Sequence, residues 1–244
     1  MTTGSWVLVA LAAAFAVLDW LAVSAQSRTG ERLAKPVTVA LLAAAALVAE
    51  PSHGGVQPWL VIALLFGLLG DIVFLPRQAP TDHVPYSAAH SGAHSGAHSG
   101  ARAAAPETTN TYFIIGLICF LLGQISYCVA IVRFGVDSTS ALFGLALVML
   151  MLLTCTRRIV VGARLLGGRV LSTVVGSYLL ALSAGVVLAV GTQSLLIAYG
   201  SLLFAASDLI LSYDRFAKAQ PWSRVAVVVS YHVAQFCLLI GLVH

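Results

Sequence analysis

Three aspartates stand inside otherwise apolar stretches of the chain: Asp19, Asp71 and Asp208. An ionised carboxylate at the centre of a bilayer costs roughly 3 kcal/mol on insertion scales, so each needs a partner, a water-filled cavity or a proton. Two of them share a context, Gly70-Asp71-Ile72 and Ser207-Asp208-Leu209. A small residue beside the acid lets another helix or a substrate come close. Two carboxyls in a low-dielectric site can divide their labour, one holding a proton and the other staying ionised, which is the requirement for acid/base catalysis. Asp71 and Asp208 are therefore the candidate catalytic pair. Asp19, Gln124, Tyr127, Tyr178, Ser207, His232 and Gln235 are candidate substrate-binding or supporting residues. Asp19 fits a structural role equally, and a lone histidine such as His232 is commonly a satisfied hydrogen-bonding residue.

Other chemistries find less in the sequence. No nucleophile-elbow serine is present, which argues against a covalent serine mechanism. His232 is the one histidine within an apolar span, fewer than zinc usually takes, so neither a metal nor another cofactor is expected. Cys119, Cys128, Cys155 and Cys237 form no CxxC pair and imply neither a disulfide framework nor a zinc site.

The elements that must position these residues are membrane helices. The chain of 244 residues is 59% hydrophobic and 9% charged, with mean hydropathy +0.96, too few charges to coat a soluble domain. The first apolar stretch has neither a positive n-region before it nor an A-x-A site after it, and is read as a retained helix. A span needs about 20 apolar residues. Apolar segments lie near 6–24, 36–50, 58–75, 112–132, 140–156, 170–190, 195–213 and 223–243. The second and fifth are short, but the basic residues test the count. With eight spans, Arg28, Arg32, Lys35, Arg77, Arg102, Arg157, Arg158, Arg164, Arg169, Arg215, Lys218 and Arg224 fall on one side and only Arg133 on the other. The positive-inside rule makes the crowded side cytoplasmic. The expected fold is thus all-α, one transmembrane domain of eight helices spanning residues 1–244, with both termini on the non-cytoplasmic side. The basic residues are explained by topology and form no nucleic-acid face.

That orientation fixes depth. Asp19, Asp71 and Asp208 all lie on odd-numbered spans, four or five residues before the inner end, roughly 6–8 Å below the cytoplasmic boundary at about 1.5 Å per residue. Tyr178 and His232 approach the same half of the bundle from even-numbered spans, with Gln124, Tyr127 and Gln235 a little deeper. The long connection, residues 76–111, carries AAHSGAHSGAHSGA with His90, His94 and His98 four residues apart. As a helix it would stack three imidazoles able to bind a metal; a glycine in every repeat and the low complexity predict disorder instead.

The stretches LLFGLLGDIVFL (64–75), FIIGLICFLLGQISY (113–127), GSLLFAASDLILSYDRF (200–216) and SYHVAQFCLLIG (230–241), with Lys35-Pro36, resemble the YhhN-like family, whose characterised members are lysoplasmalogenases. Gln124 stands where the family often has histidine, and Ser183 where a methionine often follows the tyrosine of helix 6. The resemblance implies a bacterial inner-membrane ether hydrolase. It would cleave the vinyl ether bond of a lysoplasmalogen to a fatty aldehyde and glycerophosphoethanolamine or glycerophosphocholine. Its partners would be a lysophospholipid or ether-lipid substrate and membrane lipids. Protonation of the alkene carbon, followed by water attack, would use Asp71 and Asp208 as acid and base in an order left open. His232 would assist proton transfer or bind the head group, and Arg157, Arg158 and Arg164 are available to phosphate. Two rival readings are a metal-dependent lipid hydrolase, with Asp71, Asp208 and His232 as ligands, and a lipid-binding or proton-coupled transport protein.

Overall fold

The computed structural model describes residues 1–74, 106–151, 156–217 and 220–244. The histidine repeat, Arg77, Arg102, Cys155 and Lys218 lie outside the described residues. Within them are eight α-helices and no strand: α1 (Thr3–Ser24), α2 (Arg28–Leu47), α3 (Val56–Phe74), α4 (Pro106–Phe134), α5 (Ser138–Met151), α6 (Arg157–Gly191), α7 (Leu195–Phe216) and α8 (Ser223–Val243). Six of them, α1, α3, α4, α6, α7 and α8, are long and apolar enough to cross a membrane. α5 has 14 residues and rises about 21 Å, short of a hydrocarbon core of about 30 Å. α2 has 20 residues, but its first two turns carry Arg28, Glu31, Arg32 and Lys35.

Three helices begin earlier than hydropathy predicts. α2 starts at Arg28 and not near residue 36, α4 at Pro106 and not near 112, and α6 at Arg157 and not near 170. Hydropathy reports where a segment suits lipid, whereas Arg, Glu and Lys are good helix formers that extend a helix past its apolar part. Ser27 also caps α2, its hydroxyl accepting the Gly30 N–H. Arg28, Arg32, Lys35, Arg157, Arg158 and Arg164 therefore stand on helices and not in the connecting loops where the apolar spans left them. α6 bends at Gly167 and Gly168; Gly168, at φ 68° and ψ −154°, occupies a region that side chains disfavour.

Helix neighbours follow the chain from α1 to α4, then α4 meets α6, α6 meets α7, α7 meets α8, and α8 returns to α1; α5 packs on α6 at the periphery. α8 also reaches α2, α3 and α4, which makes it the central helix. Small residues permit the tightest approach. A Cβ on Gly123 of α4 would stand 3.2 Å from the Ala63 carbonyl oxygen of α3, and one on Gly70 would meet the Phe120 ring at 2.7 Å. Large apolar side chains such as Leu21, Leu69, Phe143 and Leu180 face outward, while Asp19, Asp71, Ser126, Asp208, His232 and Gln235 are buried. Apolar outside and polar inside is the arrangement that lipid requires.

Candidate active site

The candidate side chains and their buried neighbours fall into three groups. In the first, Lys35 of α2 and Asp71 of α3 form an ion pair, Nζ to Oδ1 2.8 Å, with the carboxylate fully buried and the lysine side chain 18% exposed. The early start of α2 makes this possible, because Lys35 rides two turns into the helix and reaches the interior. Tyr231 of α8 donates its hydroxyl to Asp71 Oδ2 at 3.0 Å. The same ammonium lies 5.3 Å from the centroid of the Tyr231 ring. Both Asp71 oxygens are thereby engaged, and its charge is compensated.

Asp208 of α7 faces the same space but has different partners. Tyr178 of α6 donates its hydroxyl to Asp208 Oδ2. No cation forms an ion pair with Asp208 among the described residues; Lys35 acts on it only through space. Neighbouring Ser207 donates to the Val227 carbonyl at 3.0 Å, tying α7 to α8. Between the two carboxyls opens a cavity with an empty volume of about 640 Å³, its mouth included. Its walls are mainly apolar, formed by Phe74, Phe113, Leu117, Phe120, Val175 and Phe216. An apolar pocket with a few convergent polar groups is the usual form of a small-ligand site.

The second group lies towards α1. Trp20 Nε1 donates to His232 Nδ1 at 3.1 Å, leaving Nε2 3.9 Å from Asp19 Oδ2. Neither Asp19 oxygen nor His232 Nε2 has a hydrogen-bond partner among the described residues. The third group is deeper, where the Tyr127 hydroxyl donates to Gln235 Oε1 and buried Gln124 packs beside Gly185. The predicted set thus divides: Asp71, Asp208, Tyr178 and Ser207 line the cavity, whereas Asp19, His232, Gln124, Tyr127 and Gln235 are not among its lining residues. Asp71, Asp208 and His232 are not brought together as a ligand set either; the described residues contain no group of three such side chains placed to hold a metal ion.

Three cavity residues escape the sequence reading. Lys35 is assigned there to a loop, and its clue is an amphipathic helix start, with Glu31 and Lys35 four residues apart. Tyr231 is masked by the more conspicuous His232. Arg215 looks like a topological charge, yet it lines the cavity, while Arg157, Arg158 and Arg164 do not; Arg158 instead reaches the Tyr213 hydroxyl at 3.4 Å.

This bundle, with its lysine-paired aspartate on α3 and a second aspartate on α7, can be compared with known proteins. The YhhN family model matches residues 30–242. The chain belongs to the YhhN family. The match takes in Lys35, Asp71, Tyr178, Asp208, Arg215 and Tyr231, so the whole polar lining of the cavity lies in the part of this YhhN protein that defines the family, while Asp19 lies before it. No curated protein and no solved structure gave a significant match.

Proposed function

We propose that the chain is an integral membrane ether hydrolase of the lysoplasmalogenase type, with the cavity between α3 and α7 as its active site. The observation that carries this reading is that two carboxyls with unlike partners face one apolar cavity. Asp71 is compensated by Lys35 and bonded by Tyr231. Asp208 accepts the phenol of Tyr178 and, among the described residues, forms no ion pair. A low-dielectric site disfavours charge that lacks a counter-ion, so Asp208 is the group suited to hold a proton and Asp71 the one suited to stay ionised.

Hydrolysis of a vinyl ether can then be written on these residues. Asp208 gives its proton to the alkene carbon remote from oxygen, and the adjacent carbon becomes an oxocarbenium ion. The Asp71 carboxylate offsets that positive charge and accepts a proton from the attacking water, which forms a hemiacetal. Asp208, now a carboxylate, takes the hemiacetal hydroxyl proton as the carbon–oxygen bond to glycerol breaks. Asp71 gives the proton it took from water to the glycerol oxygen, so both carboxyls return to their starting states. The products are a fatty aldehyde and a glycerophospho-alcohol. Tyr178 holds the Asp208 carboxyl in place, and Lys35 with Tyr231 holds Asp71.

The reading includes a topology: eight crossings of a bacterial inner membrane, termini outside, and the cavity in the cytoplasmic half. α5 and the charged start of α2 would then need the bilayer to thin locally or the bundle to shield them. The test is incubation of purified protein with vinyl ether, alkyl ether and acyl lysolipids, scoring aldehyde against fatty acid. Aldehyde from the vinyl ether lipid alone is expected; binding without turnover would favour a lipid carrier.

A further inference from the structure

α7 turns one continuous face to the cavity. Asp208, Leu211, Ser212, Arg215 and Phe216 line it at helical spacing, so Arg215 sits on the same face as Asp208 and about 10 Å further along the axis. At the end of that face the Arg215 guanidinium lies over the Phe113 ring, Cζ 3.8 Å from the centroid. Phe113 is itself held between Phe74, at 5.7 Å, and Phe216, at 5.9 Å. An arginine over an aromatic face can still offer its N–H groups as a fork to a carboxylate or phosphate.

Among the described residues no carboxylate forms an ion pair with Arg215. The Lys and Arg ion pairs among the described residues are Lys35 with Asp71 and Arg224 with Glu31. Asp214, the adjacent acid, accepts the Gln220 N–H at 2.6 Å instead. A basic residue at a helix C-terminus is favourable in itself, but that does not explain why this one is laid on an aromatic wall and lines the cavity that holds two carboxyls. The other end of the lining is apolar or already paired, so an anionic group entering the cavity meets Arg215 as its available cation.

We propose that Arg215 anchors the phosphate of a single-chain lipid, so that head and reacting bond are held at opposite ends of the α7 face. The glycerol unit of a lysophospholipid separates phosphate from its chain-bearing oxygen by a few bonds. An arginine side chain leaning back towards the helix N-terminus closes the remaining distance to Asp208. The phosphate then sits at the Arg215 end, and the ether oxygen is delivered to the carboxyls. This assignment rests on the hydrolase reading for the identity of the reacting bond, but the anchor itself is a binding property and is tested as one.

The full-length protein in nanodiscs of neutral lipid is titrated with an alkyl ether lysophosphocholine, which it would not cleave, with the alkylglycerol of equal chain length, and with inorganic phosphate. Wild type should prefer the phosphorylated lipid over the alkylglycerol by about tenfold or more, the worth of a charge-assisted pair. Arg215→Gln should erase that preference while leaving alkylglycerol binding unchanged, and Arg215→Lys should keep part of it. Arg164→Gln, which removes an exposed arginine outside the cavity, should leave the preference intact. Equal wild-type affinity for the two lipids, a preference that survives Arg215→Gln, or an equal loss in Arg164→Gln would overturn the anchor. Inorganic phosphate binding as tightly as the lipid would overturn it too, in favour of a free-phosphate site. A preference of the expected kind, without aldehyde release from a vinyl ether lipid, would leave the anchor standing and sink the hydrolase reading.

Discussion

Replacing Lys35 by methionine, which keeps the side-chain length and removes the charge, strikes the feature on which the cavity depends. Asp71 is wholly buried and its Oδ1 is held by Lys35 at 2.8 Å; without the ammonium, the Tyr231 hydroxyl at 3.0 Å remains as its donor. Breaking a buried ion pair from one side leaves an uncompensated charge and costs about 3–5 kcal/mol. The partial exposure of Lys35 and the surviving phenol place the cost of Lys35→Met near the lower end, about 3 kcal/mol. Replacing both members, Lys35→Met with Asp71→Asn, removes charge and counter-charge together, so the double variant should be more stable than Lys35→Met alone. Reversible unfolding in mixed micelles measures all three variants against wild type in a double-mutant cycle. A favourable coupling of about 2 kcal/mol or more is expected. Costs that add to within about 0.5 kcal/mol would refute the claim that Lys35 is the counter-ion of Asp71.

Further outcomes follow from the same geometry. Tyr178→Phe, which takes from Asp208 its phenol donor, should lower turnover by about tenfold or more while leaving the protein folded, as read by steady-state aldehyde release and thermal unfolding. Asp19→Asn should affect turnover far less than Asp71→Asn, because Asp19 lies beside His232, 3.9 Å away, and not in the cavity lining; equal losses in the aldehyde assay would place Asp19 in the site. Gly168→Ala forces a side chain into the conformation at φ 68° and should cost about 1–3 kcal/mol in the same micelle unfolding assay.

The sequence makes the membrane character and the two cavity aspartates legible for one physical reason: charge within an apolar run is conspicuous. Tyr178, placed by orientation at the level of those aspartates, and Ser207, next to Asp208 in the chain, both line the cavity. Lys35 is not legible, because a window average places the start of a helix where lipid compatibility starts, and α2 begins two turns earlier at Arg28. That shift converts a loop charge into the counter-ion of Asp71. His232 and Asp19 are placed by orientation at that depth too but lie beside each other where α1 meets α8, outside the cavity lining, and depth alone carries no rotation about a helix axis. Gln124, Tyr127 and Gln235 likewise lie outside the cavity lining. Their contacts with one another and with Gly185 are packing facts that a single sequence does not contain. The bend at Gly167 and Gly168 is likewise hidden, since a Gly-Gly pair marks a break without giving its geometry.

The central claim is that Asp71 and Asp208 together hydrolyse an ether lipid in the cavity they share. Aldehyde release from a vinyl ether lysophospholipid, measured for wild type, Asp71→Asn and Asp208→Asn proteins shown to be equally folded, tests it most directly. Turnover by wild type and its loss in both variants is the predicted result. Full turnover in either folded variant, or release of fatty acid from the acyl lysolipid in place of aldehyde from the vinyl ether, would contradict it.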